Sequence, residues 1–356
     1  MFFQDPPEYA NPLSRAPLTL RPARRRSCFA TLPIGGKLQR SSPRRIGSAK
    51  TKDFSAYKKF LLLFAAAVAI TLTATSCKRG ENSKDSKEVP IATWLSQGIT
   101  EPPVKEIQIE ENLPKDAFPL AGTVSHHLLA GICIDQWFKT LADARKVETF
   151  FIISPSHYGL STQEWSLCEC EWNAGKYGLV KTDKKTEMQL AKTLCVEYDR
   201  NAYRIEHGFS TLMPYIAKYF PKAKVCTVAL NGEPPLKQSQ AQALTQALSP
   251  YFTEENSKKN FLLISTDFSH HGDLNDTQKK DSYSRKFFQS PAKEKWFFCV
   301  CDNRQGMYVL SNIFCKDQDK KIGGQKKFSV LYHTNSFELS GEGGDDITSY
   351  FFTFMY

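Results

Sequence analysis

Short apolar runs recur through residues 114–356 and are separated by longer amphipathic stretches. Residues 147–153 (VETFFII), 225–230 (VCTVAL) and 261–264 (FLLI) are rich in β-branched and aromatic side chains, which favour strands. The last segment, residues 348–356 (TSYFFTFMY), has the same character. It is therefore predicted to be a closing strand.

The stretches between these runs predict helices. Residues 186–194 carry apolar side chains at helical spacing, and residues 209–220 show an apolar stripe with Pro214 at its first turn. Residues 238–248 are rich in Ala, Gln and Leu, which are good helix formers. Because strands alternate with helices, the chain is predicted to be an α/β protein with a mixed or parallel sheet flanked by helices.

The segment before this domain has the order of a bacterial export signal. Lys58 and Lys59 precede 13 uncharged, mostly apolar residues, 60–72, which are too few for a spanning helix of ~20 residues. Small residues then lead to Cys77, as in a lipobox. We predict a lipoprotein signal over residues 58–77 and an exported protein of the bacterial cell envelope, anchored to the membrane surface through lipidated Cys77. The alternatives are an ordinary exported protein cleaved nearby, or a short buried helix.

The rest of the N-terminal region divides into two segments. Residues 1–57 are rich in Arg, Pro and Ser without periodicity, and we interpret them as a disordered extension or an over-extended gene start. Residues 78–112 have the Lys, Glu, Ser and Pro content of a flexible tether. The folded domain is then expected to span residues 113–356.

The net charge of +10 lies entirely in the N-terminal region. Residues 1–76 contain 13 Lys and Arg against 3 Asp and Glu, so the remaining residues are neutral overall. A neutral domain does not require a polyanionic partner, and we predict no nucleic-acid binding.

Histidines follow three of the apolar runs and precede one helix. They are His126 and His127 after AGTVS, His157 after FFIISPS, His207 before a helix, and His270 and His271 after FLLISTDFS. Ligand crevices of open α/β sheets form at the carboxyl ends of strands, so these side chains can converge on a metal or catalytic site. A single histidine at such a place is more often a turn or capping residue, but three on separate strands weigh against that interpretation.

Five motifs occur in the order of one known family. They are VSHHLLAG, ISPSHYG, EHGFSTLMPYI, STDFSHHG and VCDNRQGMYVL, and TSYFFTFMY follows them at the end of the chain. In these motifs, from about Gly122 to Tyr356, the chain resembles the Memo-like family, also called AmmeMemoRadiSam system protein B. The resemblance implies a mixed sheet flanked by helices, related in fold to the class III extradiol dioxygenases, with a cleft for a nonhaem metal.

The resemblance also implies a metal site of two histidines and one cysteine. His126, His157 and Cys301 occupy the corresponding positions, with His127 and Cys299 as competing neighbours. Imidazole and thiolate ligands suit one Fe, Cu or Zn ion, and three protein ligands leave a coordination position open.

Three further residues match polar positions of the family and are predicted to be catalytic, orienting ligands or transferring protons. They are His207, Asp267 and His270. Asp267 is expected to hold a neighbouring imidazole in one tautomer.

These features predict an exported metal-binding domain with redox or hydrolytic chemistry on a small-molecule substrate. The extradiol enzymes use two histidines and one carboxylate, so a cysteine ligand argues against their reaction in this chain. The alternative is a non-catalytic metal-binding or protein-interaction module, because a fold does not determine a function.

Eight cysteines follow Cys77. Two close pairs, Cys168 with Cys170 and Cys299 with Cys301, lack the C-x-x-C spacing of a zinc ribbon. The other four are expected to pack in the apolar interior, and they are Cys133, Cys195, Cys226 and Cys315.

Overall fold

The computed structural model describes residues 107–231, 237–315 and 326–356, and the backbone of residues 88–89. The predicted extension 1–57 and signal segment 58–77 lie outside these described residues. Within the described part of the chain, no helix combines the length and apolar character needed to cross a membrane.

Ten strands and eight α-helices occur in the described residues. The strands are β1 (Glu88–Val89), β2 (Ala121–Val124), β3 (Thr149–Pro155), β4 (Trp165–Ser166), β5 (Glu171–Asn173), β6 (Leu179–Thr182), β7 (Lys224–Leu230), β8 (Asn260–Ser265), β9 (Phe328–Asn335) and β10 (Ser349–Met355). The helices are α1 (Gly131–Ala144), α2 (Lys184–Leu194), α3 (His207–Ser210), α4 (Met213–Tyr219), α5 (Gln238–Leu248), α6 (Leu274–Gln289), α7 (Arg304–Phe314) and α8 (Ser336–Ser340).

The strands form one mixed sheet. Its order is β1-β5-β6-β7-β3-β8-β2-β10-β9, and β4 pairs with β7 outside this path. The four central strands β7, β3, β8 and β2 are parallel, whereas β10 and β9 extend the sheet in antiparallel fashion. The carboxyl ends of β3, β8 and β2 therefore lie side by side at one edge of the sheet.

Apolar cores cover both faces of this sheet. In β3, Phe150 and Ile152 belong to one core while Phe151 and Ile153 belong to the other, because successive strand residues point to opposite faces. Helices α1, α3 and α4 contribute to the first core, and α2, α5, α6 and α7 contribute to the second. A strand covered on both faces must be apolar throughout, which explains the uninterrupted run of β3.

The predicted fold class is confirmed. Strands β3, β7, β8 and β10 occupy the apolar runs of the sequence, and α5 has the bounds predicted for residues 238–248. The amphipathic stretch 209–220 is divided, since α3 ends at Ser210 and α4 begins at Met213, with Pro214 in its first turn as expected.

Contacts with the sheet begin before residue 113. Strand β1 lies within the segment predicted as a tether and pairs in parallel with β5. The backbone N–H of Glu110 donates to the Leu331 carbonyl at 2.9 Å, and the Glu111 carboxylate accepts from the Val330 N–H at 3.2 Å. The last residues of the predicted tether are therefore attached to β9.

One cysteine expected in the interior lies at the surface. Cys195 is exposed because it follows the last turn of α2 in a left-handed conformation, with φ of 55°. The other three cysteines of that group, Cys133, Cys226 and Cys315, are buried as expected.

Candidate metal centre

Three histidines converge at the carboxyl-end edge of the sheet. His126 lies just beyond β2, His157 lies just beyond β3, and His207 opens α3. One nitrogen from each ring lies within 4.8 Å of the others, a spacing at which the three could hold a metal ion. The ring centroids of His126 and His157 are 4.7 Å apart, and those of His157 and His207 are 4.1 Å apart.

A serine hydroxyl sets the tautomer of His126. Ser265 Oγ donates its single proton to the Gly208 carbonyl at 2.6 Å and lies 3.0 Å from His126 Nδ1. Because that proton is already used, Nδ1 of His126 must be the donor, and Nε2 is the nitrogen directed at the site. The imidazole is buried, with 2% of its surface exposed.

A buried carboxylate does the same for His157. Glu206 is 1% exposed, and its Oε1 lies 2.7 Å from His157 Nδ1 while its Oε2 accepts the His157 backbone N–H at 2.8 Å. Glu206 Oε1 also accepts the Gly208 N–H at 2.8 Å, which caps α3 at its start. One carboxylate thus orients His157 and begins the helix that carries His207.

Asp302 directs one carboxylate oxygen at the histidines. Its Oδ2 lies 3.4 Å from His126 Nε2, 3.7 Å from His157 Nε2 and 3.8 Å from His270 Nε2. Its Oδ1 accepts the Thr266 hydroxyl at 2.7 Å, which fixes the rotation of the carboxylate. Oδ2 is buried and has no hydrogen-bond partner among the described residues. The carboxylate is therefore held with Oδ2 pointing toward the three imidazoles.

The charges in this cluster depend on one another. Burial by itself would raise the pKa of Asp302, but His126, His157 and His270 hold that pKa well below its usual range. Burial would lower the pKa of His157, but the Asp302 and Glu206 carboxylates raise it to about 10. Burial lowers the pKa of His207 to about 2, with His126 and His157 acting in the same direction. The cluster thus combines an ionised carboxylate with at least one neutral imidazole, that of His207, and the neutral form is the donor state that metals require.

Asn303 ties the Asp302 segment to the sheet. Its Nδ2 donates to the carbonyls of Ile153 and Ser265, both at 2.9 Å, so it joins the ends of β3 and β8. Its Oδ1 accepts the Gly306 N–H at 2.8 Å and caps α7. The position of Asp302 is therefore set by two strands and one helix.

Helix α3 lies directly against the end of β3. A Cβ atom on Gly208 would lie 2.0 Å from Ser154 Oγ, so a residue with a side chain does not fit at this contact. Glycine at this position allows His207 to approach His157.

Sequence comparison assigns the domain to a family. The family model described as Memo-like protein matches residues 122–350, which is more than half of the chain. The chain belongs to the Memo-like family. The match runs from β2 into β10, so all the site residues described above lie within the Memo-like region.

Curated relatives carry the name MEMO1 family protein. One from Pyrobaculum aerophilum is 25% identical over 46% of this chain and 57% of its own length. One from Thermotoga petrophila is 26% identical over 62% of this chain and 78% of its own length. One from Thermotoga neapolitana is 24% identical over 66% of this chain and 81% of its own length. These names do not include an activity.

A solved structure also aligns with the chain. The crystal structure of an uncharacterised protein from Escherichia coli K12 covers 66% of this chain and 98% of its own, with 12% identity and a TM-score of 0.42. At that level of similarity it adds nothing to the family assignment.

The structure brings two of the three predicted metal ligands together. His126 and His157 belong to the cluster, and Cys301 does not. Cys301 forms an isolated antiparallel bridge with Phe268 and packs against an apolar core, and burial raises the pKa of its thiol to about 12. Because the Cys301 backbone pairs with Phe268 and its side chain packs against an apolar core, the geometry disfavours Cys301 as a ligand, and its ligand role stays a prediction. Its competitor Cys299 is fully buried in the same core.

The three residues predicted to be catalytic occupy different positions. His207 lies within the group that could hold the metal. His270 faces Asp302 with its side chain 35% exposed, and Asp302 raises the pKa of His270 against the lowering effect of burial. Asp267 accepts the Ser125 hydroxyl at 2.6 Å, and its Oδ2 lies 3.8 Å from His126 Nε2. Ser265 and Glu206, rather than Asp267, thus orient the imidazoles.

The neighbouring histidines lie outside the three-histidine group. His127 Nδ1 contacts the Tyr350 hydroxyl at 2.5 Å, and burial lowers its pKa. His271 is 84% exposed and pairs with Asp346. The structure therefore favours His126 over His127 as the ligand from this turn.

Sequence reasoning missed three residues that shape the centre, which are Ser265, Asp302 and Asn303. The resemblance to the family included Glu206, paired with His207, but gave it no role. The signal for Asp302 was its position beside Cys301, immediately before a helix N-cap. Ser265 had no comparable signal, because a serine at the end of a buried strand is common.

Proposed function

We propose that His126, His157, His207 and Asp302 bind one divalent metal ion, and that this centre performs redox or hydrolytic chemistry on a small molecule. The carrying observation is that His126 and His157 each direct Nε2 at the same Asp302 oxygen, which lacks a hydrogen-bond partner in the described structure. Membership of the Memo-like family supports the same interpretation.

The donor set fits a cation. A nitrogen lone pair that faces a carboxylate oxygen at 3.4 Å is repelled by it unless a proton or a metal ion lies between them. One proton can bridge Asp302 Oδ2 to only one imidazole nitrogen at a time. A metal ion would satisfy the three imidazoles and the carboxylate together, which is consistent with an Asp302 Oδ2 that has no hydrogen-bond partner among the described residues.

The ligand types narrow the choice of metal. Three imidazoles and one carboxylate suit Zn²⁺, Fe(II) or Cu(II), and the thiolate that would favour Cu(I) is not part of this cluster. When bound, such an ion activates a coordinated water or substrate oxygen as a Lewis acid, and iron or copper adds redox chemistry.

The chain itself supplies orientation and proton transfer. Glu206 and Ser265 keep the protons of His157 and His126 on Nδ1, so that both Nε2 atoms remain available. His270 lies next to the centre and is partly open to solvent, and it can hold a proton at Nε2 for delivery to a substrate. The aromatic hydroxyl of Tyr350, in contact with His127, borders the same region.

Elemental analysis of the purified full chain tests metal binding. We expect about one equivalent of metal in the unaltered protein and loss of most of it in His157→Ala. His271→Ala is the matched control, because that imidazole is exposed and paired with Asp346. Equal metal content in all three proteins would overturn the proposal.

Activity assays separate the enzyme from its alternative. Oxygen uptake with catechol-type substrates and hydrolysis of ester or amide substrates would report turnover that His157→Ala loses. Stoichiometric metal without turnover in either assay supports the non-catalytic metal-binding or protein-interaction module.

We also propose that lipidated Cys77 holds the domain at a membrane surface of the bacterial cell envelope. The order of two lysines, a 13-residue apolar segment and Cys77 supports this. Mass spectrometry of the membrane fraction should find a lipid-modified peptide beginning at Cys77. Recovery of intact chain beginning near Met1 would contradict the proposal.

A further inference from the structure

Two cysteines lie in contact in the segment between β4 and β5. The Sγ atoms of Cys168 and Cys170 are 2.6 Å apart, and the two residues are 2% and 1% exposed. In extended chain, residues i and i+2 point to the same side, so the C-x-C spacing brings the thiols together. Their separation is only about 0.6 Å longer than a covalent S–S bond.

The surroundings make the two thiols unequal. Contact with Cys170 lowers the pKa of Cys168 against the effect of burial, and Arg200 lowers it further. Contact with Cys168 and burial raise the pKa of the Cys170 thiol far above its usual value. One sulfur is thus suited to act as the attacking thiolate, and the other can follow as the resolving thiol.

The backbone holds the pair in place. The Cys168 N–H donates to the buried Glu187 carboxyl at 3.2 Å, and the Cys170 N–H donates to the Thr182 hydroxyl at 3.0 Å. The Thr182 hydroxyl in turn donates to the Cys170 carbonyl at 2.9 Å. These hydrogen bonds therefore fix both cysteines on the same side of the segment between β4 and β5.

We propose that Cys168 and Cys170 form a redox-active pair, which closes to a disulfide by exchange with a dissolved disulfide of the glutathione class. The Cys168 thiolate attacks one sulfur of the reagent, the reagent S–S bond breaks, and one glutathione thiolate leaves. Cys170 loses its proton and attacks the Cys168 sulfur of the mixed disulfide, which forms the Cys168–Cys170 bond and releases the second glutathione. Two electrons pass from the chain to the reagent, and two glutathione thiols are produced.

A Cys168–Cys170 disulfide closes a very small loop, so it is suited to reversible oxidation rather than to stabilising the fold. Stabilisation by a cross-link grows with the length of the loop that it closes, and here a single residue separates the two cysteines. The disulfide should therefore add little to the free energy of unfolding, and its reduction should cost the folded protein little stability. Because both residues are almost fully covered, exchange should be slower than at the exposed Cys195.

Peptide mass mapping of the full chain tests the pair directly. Trypsin releases residues 147–176 as one peptide, which contains no cysteines other than these two. The folded protein is incubated with oxidised glutathione, denatured, alkylated and digested. We expect the peptide to carry no alkyl group and no glutathione adduct, to be two hydrogens lighter than the free dithiol peptide, and to recover alkylation after dithiothreitol.

The remaining cysteines and two variants provide the controls. Residues 193–200 carry Cys195 alone and should acquire a glutathione adduct, which reports that the reagent was active. Cys170→Ser should stop at a mixed disulfide on Cys168, and Cys168→Ser should react far more slowly. Full alkylation of both cysteines in the unaltered protein, while Cys195 carries the adduct, would overturn the proposal whether or not the variants fold.

Discussion

Two histidine–carboxylate clusters use the same residue types in different ways. In one, Asp281 accepts the hydroxyls of Ser269 and Ser349 at 2.5 and 2.6 Å, and its other oxygen lies 2.8 Å from His333 Nε2. Arg285 contacts the remaining nitrogen of His333 at 2.8 Å. Both oxygens of Asp281 and both nitrogens of His333 are therefore occupied.

The candidate metal centre differs in that one of its buried carboxylate oxygens has no hydrogen-bond partner among the described residues. Asp302 Oδ2 lies 3.4 to 3.8 Å from three imidazole nitrogens and forms no hydrogen bond with any described residue. The three imidazoles favour the charge of Asp302, but none of them forms a hydrogen bond with Oδ2, so this polar atom is not saturated as those of Asp281 are. The contrast shows that saturation of the polar atoms, rather than residue type, distinguishes a structural network from a binding site.

Replacing Asp302 should have the largest effect. Asp302→Asn is expected to weaken metal binding by at least about 100-fold, because the variant lacks the anionic ligand, while its melting temperature stays the same or rises. Competition with a chromophoric chelator measures the affinity. Cys301→Ser is the control and should stay within about twofold of the unaltered protein. The reverse result, with loss only in Cys301→Ser, would make the thiol the ligand.

Replacing Asp281 should affect folding instead. Asp281→Asn places an amide N–H against His333 Nε2–H, and we expect the free energy of unfolding to fall by about 2 kcal/mol. Metal affinity should change by no more than about threefold. Urea unfolding and the chelator assay on the same preparation check both values. A large loss of affinity with unchanged stability would break the comparison.

Glu206 links orientation to helix capping, so its variant should show a smaller and mixed effect. Glu206→Gln keeps the size of the side chain, but it removes the charge that faces His157 Nδ1 and places an amide NH2 against the His157 backbone N–H, which should lower metal affinity about 10-fold. Helix α3 should remain, because the amide oxygen can still cap it. Unchanged affinity in this variant would mean that the tautomer of His157 is set elsewhere.

Glu187 extends the comparison to a buried carboxyl group without a histidine. Burial raises its pKa to about 8, despite the N–H groups of Cys168 and Thr227 that favour the charged form. A raised folded pKa stabilises the protein fully below the unfolded value, and this contribution is lost as the pH rises through 8. We expect a decrease of about 3 kcal/mol in unfolding free energy between pH 5 and 8.

Urea unfolding of variants at several pH values checks this expectation. Glu187→Gln should remove the dependence, and Glu197→Gln, at an exposed site, should keep it. An identical pH dependence in Glu187→Gln and the unaltered protein would show that another group is responsible.

The strands and the site edge were predictable because they depend on simple rules. The apolar runs gave β3, β7, β8 and β10, and parallel neighbours must end at the same edge. His126 and His157, each just beyond such a strand, were therefore found from sequence. The family resemblance that suggested their role is confirmed by the family match.

The fourth group of the centre could not be read from spacing. Cys301 and Asp302 are adjacent in extended chain, where successive side chains point in opposite directions. The bridge from Phe268 to Cys301 decides which of them faces the histidines. That bridge is a long-range contact, and a shift of one residue would exchange a thiol for a carboxylate. Likewise, the role of Ser265 depends on a hydroxyl bond to Gly208, which no local pattern reveals.

The absence of a side chain at Gly208 has a mechanical consequence. The main chain of α3 lies against the Ser154 side chain, since even a methyl group on Gly208 would lie 2.0 Å from Ser154 Oγ. The distance between the His157 and His207 segments is therefore set by main chain and one short side chain, not by long flexible ones. A metal site held in this way should change its dimensions little when an ion binds. Its selectivity should then depend on ionic radius, because the ligands cannot move to accommodate an ion that is too large or too small.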